Sequence, residues 1–474
     1  MTSAEQIASL LERLKRLEDE NVALRAENAA LKAELAELKA VKAALETKAG
    51  ENSTNSRKPP SSDPPGTRPA KPPTGKKRGG QPGHPHHSRP LVPPEKIAKL
   101  TSVVPEACKH CGSGNLVETG VPAVIHQVAE LPKIEPEWQQ WDLHQCACLD
   151  CGKKTRAALP DGVPSHMFGP RLLALLAYLV GKRMTRRPVQ QFCADVLGLK
   201  ASLGAISEAE ENASNALATA VDEATDYARK RRIKHVDASS WSMGGKLLAL
   251  WTIATKLVTV FFVTKDQKTG TVRDLLRSLR GLLVTDRGAQ FTFWAMNARQ
   301  ICWAHLIRKF VAYTLRKDEG REIGEGLLWI AQATLSAWHQ VRDGTLTRKQ
   351  FQVMAKNAQV ATEKLLLRGV ALDLKALSGS CANILAHKEA LFRFAFVRGL
   401  EPTNNHAERA LRAFVLWRKT SYGSQSERGC LFAQRLMTTV ETLRLQKRHV
   451  FEFLVDACRA DQHGLRGPSL LPGR

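Results

Sequence analysis

Leucine returns at every seventh position at the start of the chain: Leu10, Leu17, Leu24, Leu31, Leu38 and Leu45. With these at d, the a positions hold Ile7, Leu14, Asn21, Asn28, Leu35 and Lys42. Asparagine buried at a costs stability but fixes register and favours parallel pairs. In a parallel pair each g residue meets the e residue five positions later on the partner. Here that matches Arg13 with Glu18, Glu20 with Arg25, Glu27 with Lys32 and Glu34 with Lys39, all opposite in sign. The pattern predicts a parallel coiled coil over residues 1–50 that makes a homodimer or higher oligomer.

Downstream the period changes. RLLALLAYLV, PVQQFCADVLGL and an acidic, alanine-rich stretch predict helices from Pro170 to about Arg229. Gly198–Ser207 has the look of the turn and second helix of a helix-turn-helix, although a helical bundle between domains is the preferred reading. A strand is then expected to end at Asp237. LLALWTIAT and LVTVFFVT are β-branched runs either side of a turn near Lys256, TVRDLLRSLRG is helical, and LLVTD is a fourth strand. This order describes a compact mixed α/β unit. Residues from about Phe310 to Arg398 are helical and polar, too long for a loop and hence a helical subdomain. A last long helix opens near Asn404.

Composition adds two constraints. The formal charge is +24, with 70 Lys and Arg against 46 Asp and Glu. A surplus of that size points to a polyanionic partner, nucleic acid first. Twelve of the 23 prolines lie between Pro59 and Pro94, among Gly, Ser and the basic run Lys76-Lys77-Arg78. Such a stretch predicts an extended arm, either a plain linker or one that drapes along phosphates. No leader or membrane span is expected, since Leu172–Val180 is short and Leu247–Val263 is broken by Lys256 and threonines. The ten cysteines then fit a reducing cytoplasm and metal ligation rather than disulfides.

Four cysteines carry a specific spacing. Cys108-x-x-Cys111 and Cys148-x-x-Cys151 are separated by 36 residues, and a glycine follows the second cysteine of each pair. Paired knuckles of this kind suit structural Zn²⁺ held by four thiolates, with an intervening hairpin expected; Cys146 and His110 are possible substitutes. Trp138, Trp141 and His144 are expected to pack the small domain.

The second chemical signal is a set of acids. Asp237 and Asp286 each close an apolar β-like run, and Glu408 sits in Asn404-Asn405-His406-Ala407-Glu408-Arg409. If the two strands are neighbours, both aspartates converge. With a helix glutamate they would supply hard oxygen ligands for Mg²⁺ or Mn²⁺ in a two-metal phosphodiester site. Cys302 and His305 stand at helical i, i+3 spacing, which permits a metal, but a structural or DNA-facing His305 is preferred. Arg308, Lys309, Asn404, Asn405, Arg409, Arg412, Arg418 and Lys419 are further DNA-contact candidates, with a merely solvated face the alternative for the arginines and lysine after Glu408.

Taken together, the zipper, ENSTNSRKPPSSD, GGQPGHPHH, both knuckles, HVDASSW, LVTDRGAQF, ICWAHLIRKF and PTNNHAERALR resemble DDE transposases of the insertion sequence 66 family. The resemblance implies a ribonuclease-H-like fold, a catalytic triad at Asp237, Asp286 and Glu408, and zinc and DNA binding in the N-terminal half. It also implies cleavage at an element's terminal inverted repeats, joining to target DNA, and companion proteins encoded beside it. Two positions depart from the family pattern: Ala238 replaces a Glu and Thr403 an Asp. These departures keep open a decayed, non-catalytic DNA-binding protein, and a ribonuclease-H-like nuclease without strand transfer is a further alternative.

The expected architecture is therefore multidomain α+β. It comprises a coiled coil (1–50), a flexible arm (51–100), a zinc-binding domain (101–165) and a helical segment (166–228). The ribonuclease-H-like core follows in two parts (229–310 and 399–460), divided by a helical insertion (311–398), with a tail at 461–474.

Overall fold

The computed structural model describes residues 3–56, 63, 89–278 and 280–473. The basic run at 76–78 lies outside them. One helix, α1 (Ser3–Ala49), covers the heptad region. Leu17, Leu24, Leu31, Leu35 and Leu38 along it are more than half exposed, so among the described residues this part of its apolar seam is left uncovered.

The cysteine segment is an exception to the expectation of a packed small domain. Its two short strands, β1 (Gln145–Ala147) and β2 (Lys154–Arg156), form an antiparallel hairpin around the second cysteine pair rather than between the pairs. Trp138 and Trp141 are 71% and 41% exposed, so the packing expected of them is absent here. A segment this short, with its apolar side chains left exposed, cannot bury such rings without a staple.

Four helices come next: α2 (Pro170–Gly181), α3 (Arg186–Leu197), α4 (Leu203–Ala216) and α5 (Ala218–Lys230). Gly198 ends α3 in the left-handed conformation (φ 63°), and the Ser202 hydroxyl caps α4 by accepting from the Ala205 amide. The α3–turn–α4 unit does exist. However, α4 buries Ile206, Ala209 and Ala213 and packs on α2 and two C-terminal helices, as a bundle element does.

The sheet has five strands: β3 (Ile233–Met243), β4 (Lys246–Ala254), β5 (Thr259–Thr264), β6 (Leu282–Thr285) and β7 (Arg299–Ile301). Their order is β5-β4-β3-β6-β7; the first two pairings are antiparallel and the last two parallel. Helix α6 (Thr269–Leu276) crosses from β5 to β6. This is an α+β domain whose mixed-sheet topology is consistent with a ribonuclease-H-like core.

Two strands depart from the sequence reading. Asp237 is not at a strand end: β3 runs six residues further, because Gly244 and Gly245 (φ 54° and 81°) make a two-residue hairpin that pairs Met243 with Lys246. Positive φ at both central residues is the turn whose twist matches a hairpin. The second departure is β7, which no apolar run announces, since it reads Arg-Gln-Ile and buries all three.

Helix α7 (Trp303–Thr314) leads into the insertion, which continues with α8 (Gly320–Asp343), α9 (Arg348–Ala371), α10 (Ser378–Leu385) and α11 (Arg393–Phe396). Together they have their own apolar core, including Phe310, Trp338, Phe351 and Phe394, which reaches the sheet at Val284 and Ile301. The chain then returns through α12 (Asn405–Ser421), α13 (Glu427–Leu445) and α14 (Val450–Gln462). These share the other core with α2–α5 and strands β3–β5. Helix α13 also covers the edge of β5. The amides of Thr259, Phe261 and Val263 donate to Thr442, Thr438 and Gln434 at 3.1, 3.2 and 2.9 Å. Side chains four apart on a helix thus satisfy alternate donors of an edge strand that would otherwise be open to pairing. Among the described residues, no helix is long and apolar enough to cross a membrane.

Candidate active site

Parallel pairing brings the two aspartates together. Ile233, Lys234 and His235 pair with Leu282, Leu283 and Val284, and continuing that register by two residues sets Asp237 opposite Asp286. Residues opposite each other on neighbouring strands share a face about 4.8 Å apart. Asp286 follows the last residue of β6, where its Oδ1 accepts from the Gly288 amide (2.9 Å) and holds the turn. Asp237 Oδ1 accepts from the Ala238 amide, also at 2.9 Å.

Helix α12 delivers the third carboxylate. It packs on β3, and its N-terminal end is tied down at three points. Asn404 Nδ2 donates to the Val236 carbonyl (2.9 Å), the Asn404 amide to Cys302 Sγ (3.1 Å), and the Trp303 amide to the Pro402 carbonyl (2.9 Å). Glu408, in the first turn of α12, is thereby brought over the strand that carries Asp237. Its Oε1 is buried and has no hydrogen-bond partner.

Electrostatics report the same convergence. Burial first, then the charges of Glu408 and Asp286, push the Asp237 carboxyl up to about 7; the Ala238 amide and Arg308 pull the other way. Carboxylates that repel one another in a poorly solvated pocket are what a divalent ion relieves, so the donor set fits a hard cation. A pH dependence follows. Asp237 titrates near 3.8 when free and near 7 here, so the fold favours its protonated form. In divalent-free buffer this group's penalty is absent below about pH 4 and grows until about pH 7. The difference in melting temperature between wild type and Asp237→Asn, followed by calorimetry, should open over that window and then level off.

One positioning residue has no sequence signal. Arg299 on β7 is fully buried, and its guanidinium donates to Thr285 Oγ1 (3.1 Å) and the Asp286 carbonyl (3.0 Å). Burial lowers its pKa to about 10, with Asp286 opposing the shift. It fixes the backbone from which Asp286 projects.

The DNA-contact candidates divide. Asn404 is fully buried, and Arg418 donates to the carbonyl and hydroxyl of Ser240 on β3. Both serve to dock α12, and an interior amide has nothing to offer a phosphate. Lys309, Asn405, Arg409, Arg412 and Lys419 are exposed, while Arg308 is half-buried on the Asp237 side. His305 is also half-buried, facing the acids: its Nδ1 lies 3.9 Å from Glu408 Oε1. Cys302, which precedes α7, is fully buried, and its thiol is pushed up to about 11, chiefly by burial.

The N-terminal cysteines keep the knuckle shape separately. The Cys108 amide donates to the Ser113 carbonyl and the Gly112 amide to the Cys108 carbonyl, both at 2.8 Å; Cys148 and Gly152 repeat this at 2.9 Å. Among the described residues, however, the two pairs do not meet as one ligand set. The group that does meet is Cys302, His305 and Glu408.

A family model described as "Transposase IS66 family" matches residues 165–431, more than half of the chain. The chain belongs to the IS66 transposase family. The matched stretch contains Asp237, Asp286 and Glu408 and ends inside α13. A second model, a family of unknown function designated DUF6444, matches residues 4–90, from the long helix through the proline-rich stretch of sequence. No curated protein matched the chain. Membership supports a transposase-like, metal-dependent polynucleotidyl-transferase-like activity and binding to DNA.

Proposed function

We propose that this IS66-family protein cuts the ends of a bacterial insertion sequence and joins the freed 3′-hydroxyls to target DNA. The observation that carries this reading is the convergence of Asp237, Asp286 and Glu408, expressed in the raised pKa of Asp237. Asp237 and Asp286 would hold divalent ions, Mg²⁺ or Mn²⁺, and Glu408 would complete the set. Bound ions of this kind activate the attacking oxygen and stabilise the leaving oxygen of an in-line displacement. The chain's own contribution is position. Arg299 anchors the Asp286 turn, Asn404 and Arg418 seat α12 on β3, and the exposed Arg409, Arg412 and Lys419 provide positive charge alongside for the DNA backbone. Ala238 and Thr403, where the family pattern has acids, leave these three carboxylates in place.

Purified protein with Mg²⁺ and a duplex carrying the element's terminal inverted repeats should give nicked ends, and a pre-cut end should be joined to target. Nicking without joining would favour a ribonuclease-H-like nuclease; neither, under any divalent ion, would favour a decayed DNA-binding protein.

The remaining domains fit that role. Residues 1–50 would pair two copies through the exposed leucine seam, since the g and e charges are complementary only between chains. Residues 51–100 would be the flexible arm. Residues 101–165 would fold around one Zn²⁺ held by Cys108, Cys111, Cys148 and Cys151, with metal binding supplying the cohesion. Residues 229–310 and 399–460 would form the catalytic core, with 166–228 bracing it and 311–398 inserted. Deleting residues 1–50 should reduce a dimer or larger species to monomer in light scattering; an unchanged mass would remove the zipper from the account.

A further inference from the structure

Glu408 stands between two ligand sets of different hardness. Asp237 and Asp286 offer only oxygen. On the other side, Cys302 and His305 offer a sulfur and a nitrogen that lie, together with a Glu408 oxygen, within 4.8 Å of one another. We propose that Cys302, His305 and Glu408 form a second metal site, for zinc(II) or a similarly soft divalent ion, that draws Glu408 away from the magnesium-binding acids.

Three observations build the site. First, Cys302 and His305 are fixed relative to each other, because Cys302 caps α7 and His305 stands in its first turn. Second, the backbone amide of Asn404 donates to Cys302 Sγ at 3.1 Å, which aims the sulfur and partly offsets the cost of negative charge on it in this buried position. Third, Glu408 Oε1 is buried without a hydrogen bond, 3.9 Å from His305 Nδ1. A tetrahedral zinc with bonds of about 2.0–2.3 Å holds its donor atoms roughly 3.3–3.7 Å apart. The observed spacings, none above 4.8 Å, are therefore within about 1.5 Å of closure, which side-chain rotation supplies. Thiolate and imidazole together select zinc over magnesium, whereas the aspartates have the opposite preference. Binding forms a zinc–sulfur bond and releases the Cys302 proton to solvent. Three protein ligands leave a fourth position for water.

The capture of Glu408 rests on its reading as the third catalytic ligand; the existence of the site does not. The test is zinc content of the full-length protein, measured by elemental analysis after loading with zinc chloride and dialysis against a weak chelator. Cys302→Ser and His305→Gln should each hold one zinc fewer per chain than wild type. Cys108→Ser with Cys111→Ser should leave that difference intact. Equal zinc content in wild type and in folded Cys302→Ser and His305→Gln would overturn the site. If the buried Cys302→Ser does not fold, half-exposed His305→Gln decides alone. Zinc added to wild type should also suppress magnesium-dependent nicking several-fold. A zinc site whose filling leaves nicking unchanged would overturn the capture of Glu408. A protein that never nicks would still be decided by its zinc content.

Discussion

Asp237→Asn should abolish divalent-dependent strand cleavage and, in the same protein, raise the melting temperature of the metal-free fold at pH 8. Both effects have one cause. The carboxylate sits on the middle of β3 facing the charges of Glu408 and Asp286, with its pKa raised to about 7 by burial and by those neighbours. At pH 8 it is ionised against that opposition, and the amide removes the repulsion while Oδ1 can still accept from the Ala238 amide. Each kcal/mol relieved is worth roughly 2–4 °C in a domain of this size. Losing one ligand of a two-metal site should lower the cleavage rate by about 10³-fold or more, since the ions stabilise the developing charge. A stability gain paired with lost activity is the signature of a strained functional site. A variant that melts below wild type at pH 8 would show that Asp237 is an ordinary structural carboxylate.

Phe414→Ala should destabilise the fold by about 3–5 kcal/mol, the range for truncating a fully buried aromatic ring. Phe414 lies six residues beyond Glu408 on α12 and is fully buried. Its ring centroid is 4.8 Å from that of Phe261, 5.2 Å from Trp241 and 6.0 Å from Trp417. Trp241 and Phe261 belong to β3 and β5, so this ring clamps the glutamate-bearing helix to the sheet that bears Asp237. Urea denaturation should record the loss, and cleavage should weaken beyond what the folded fraction explains. A change below about 1 kcal/mol would mean that α12 is held chiefly by its polar ties at Asn404 and Arg418.

Much of this was legible in the chain because burial on two faces leaves apolar, β-branched runs. LLALWTIA, TVFFVT and LLVT became β4, β5 and β6, and Asp286 stands directly after the last. The second half of β3 was hidden because Ser-Ser-Trp-Ser has no such run; its signal was the Gly244-Gly245 turn. The strand β7 was hidden for a different reason. A three-residue strand with a buried Arg makes sense only once the Asp286 turn is there to receive its guanidinium. Asn404 read as a DNA contact because a polar pair at a helix start is usually exposed, yet its amide is spent on the carbonyl of Val236. The approach of Cys302 and His305 to Glu408 joins residues about a hundred positions apart, and no local spacing encodes it.

On the proposed reading, three carboxylates from two strands and one helix act together on DNA. The most direct test is magnesium-dependent nicking of the element's own terminal repeats by wild type and by Glu408→Gln at equal folded concentration. Wild type should nick and leave a 3′-hydroxyl, while Glu408→Gln binds the same DNA and leaves it intact. Undiminished nicking by Glu408→Gln would contradict the account.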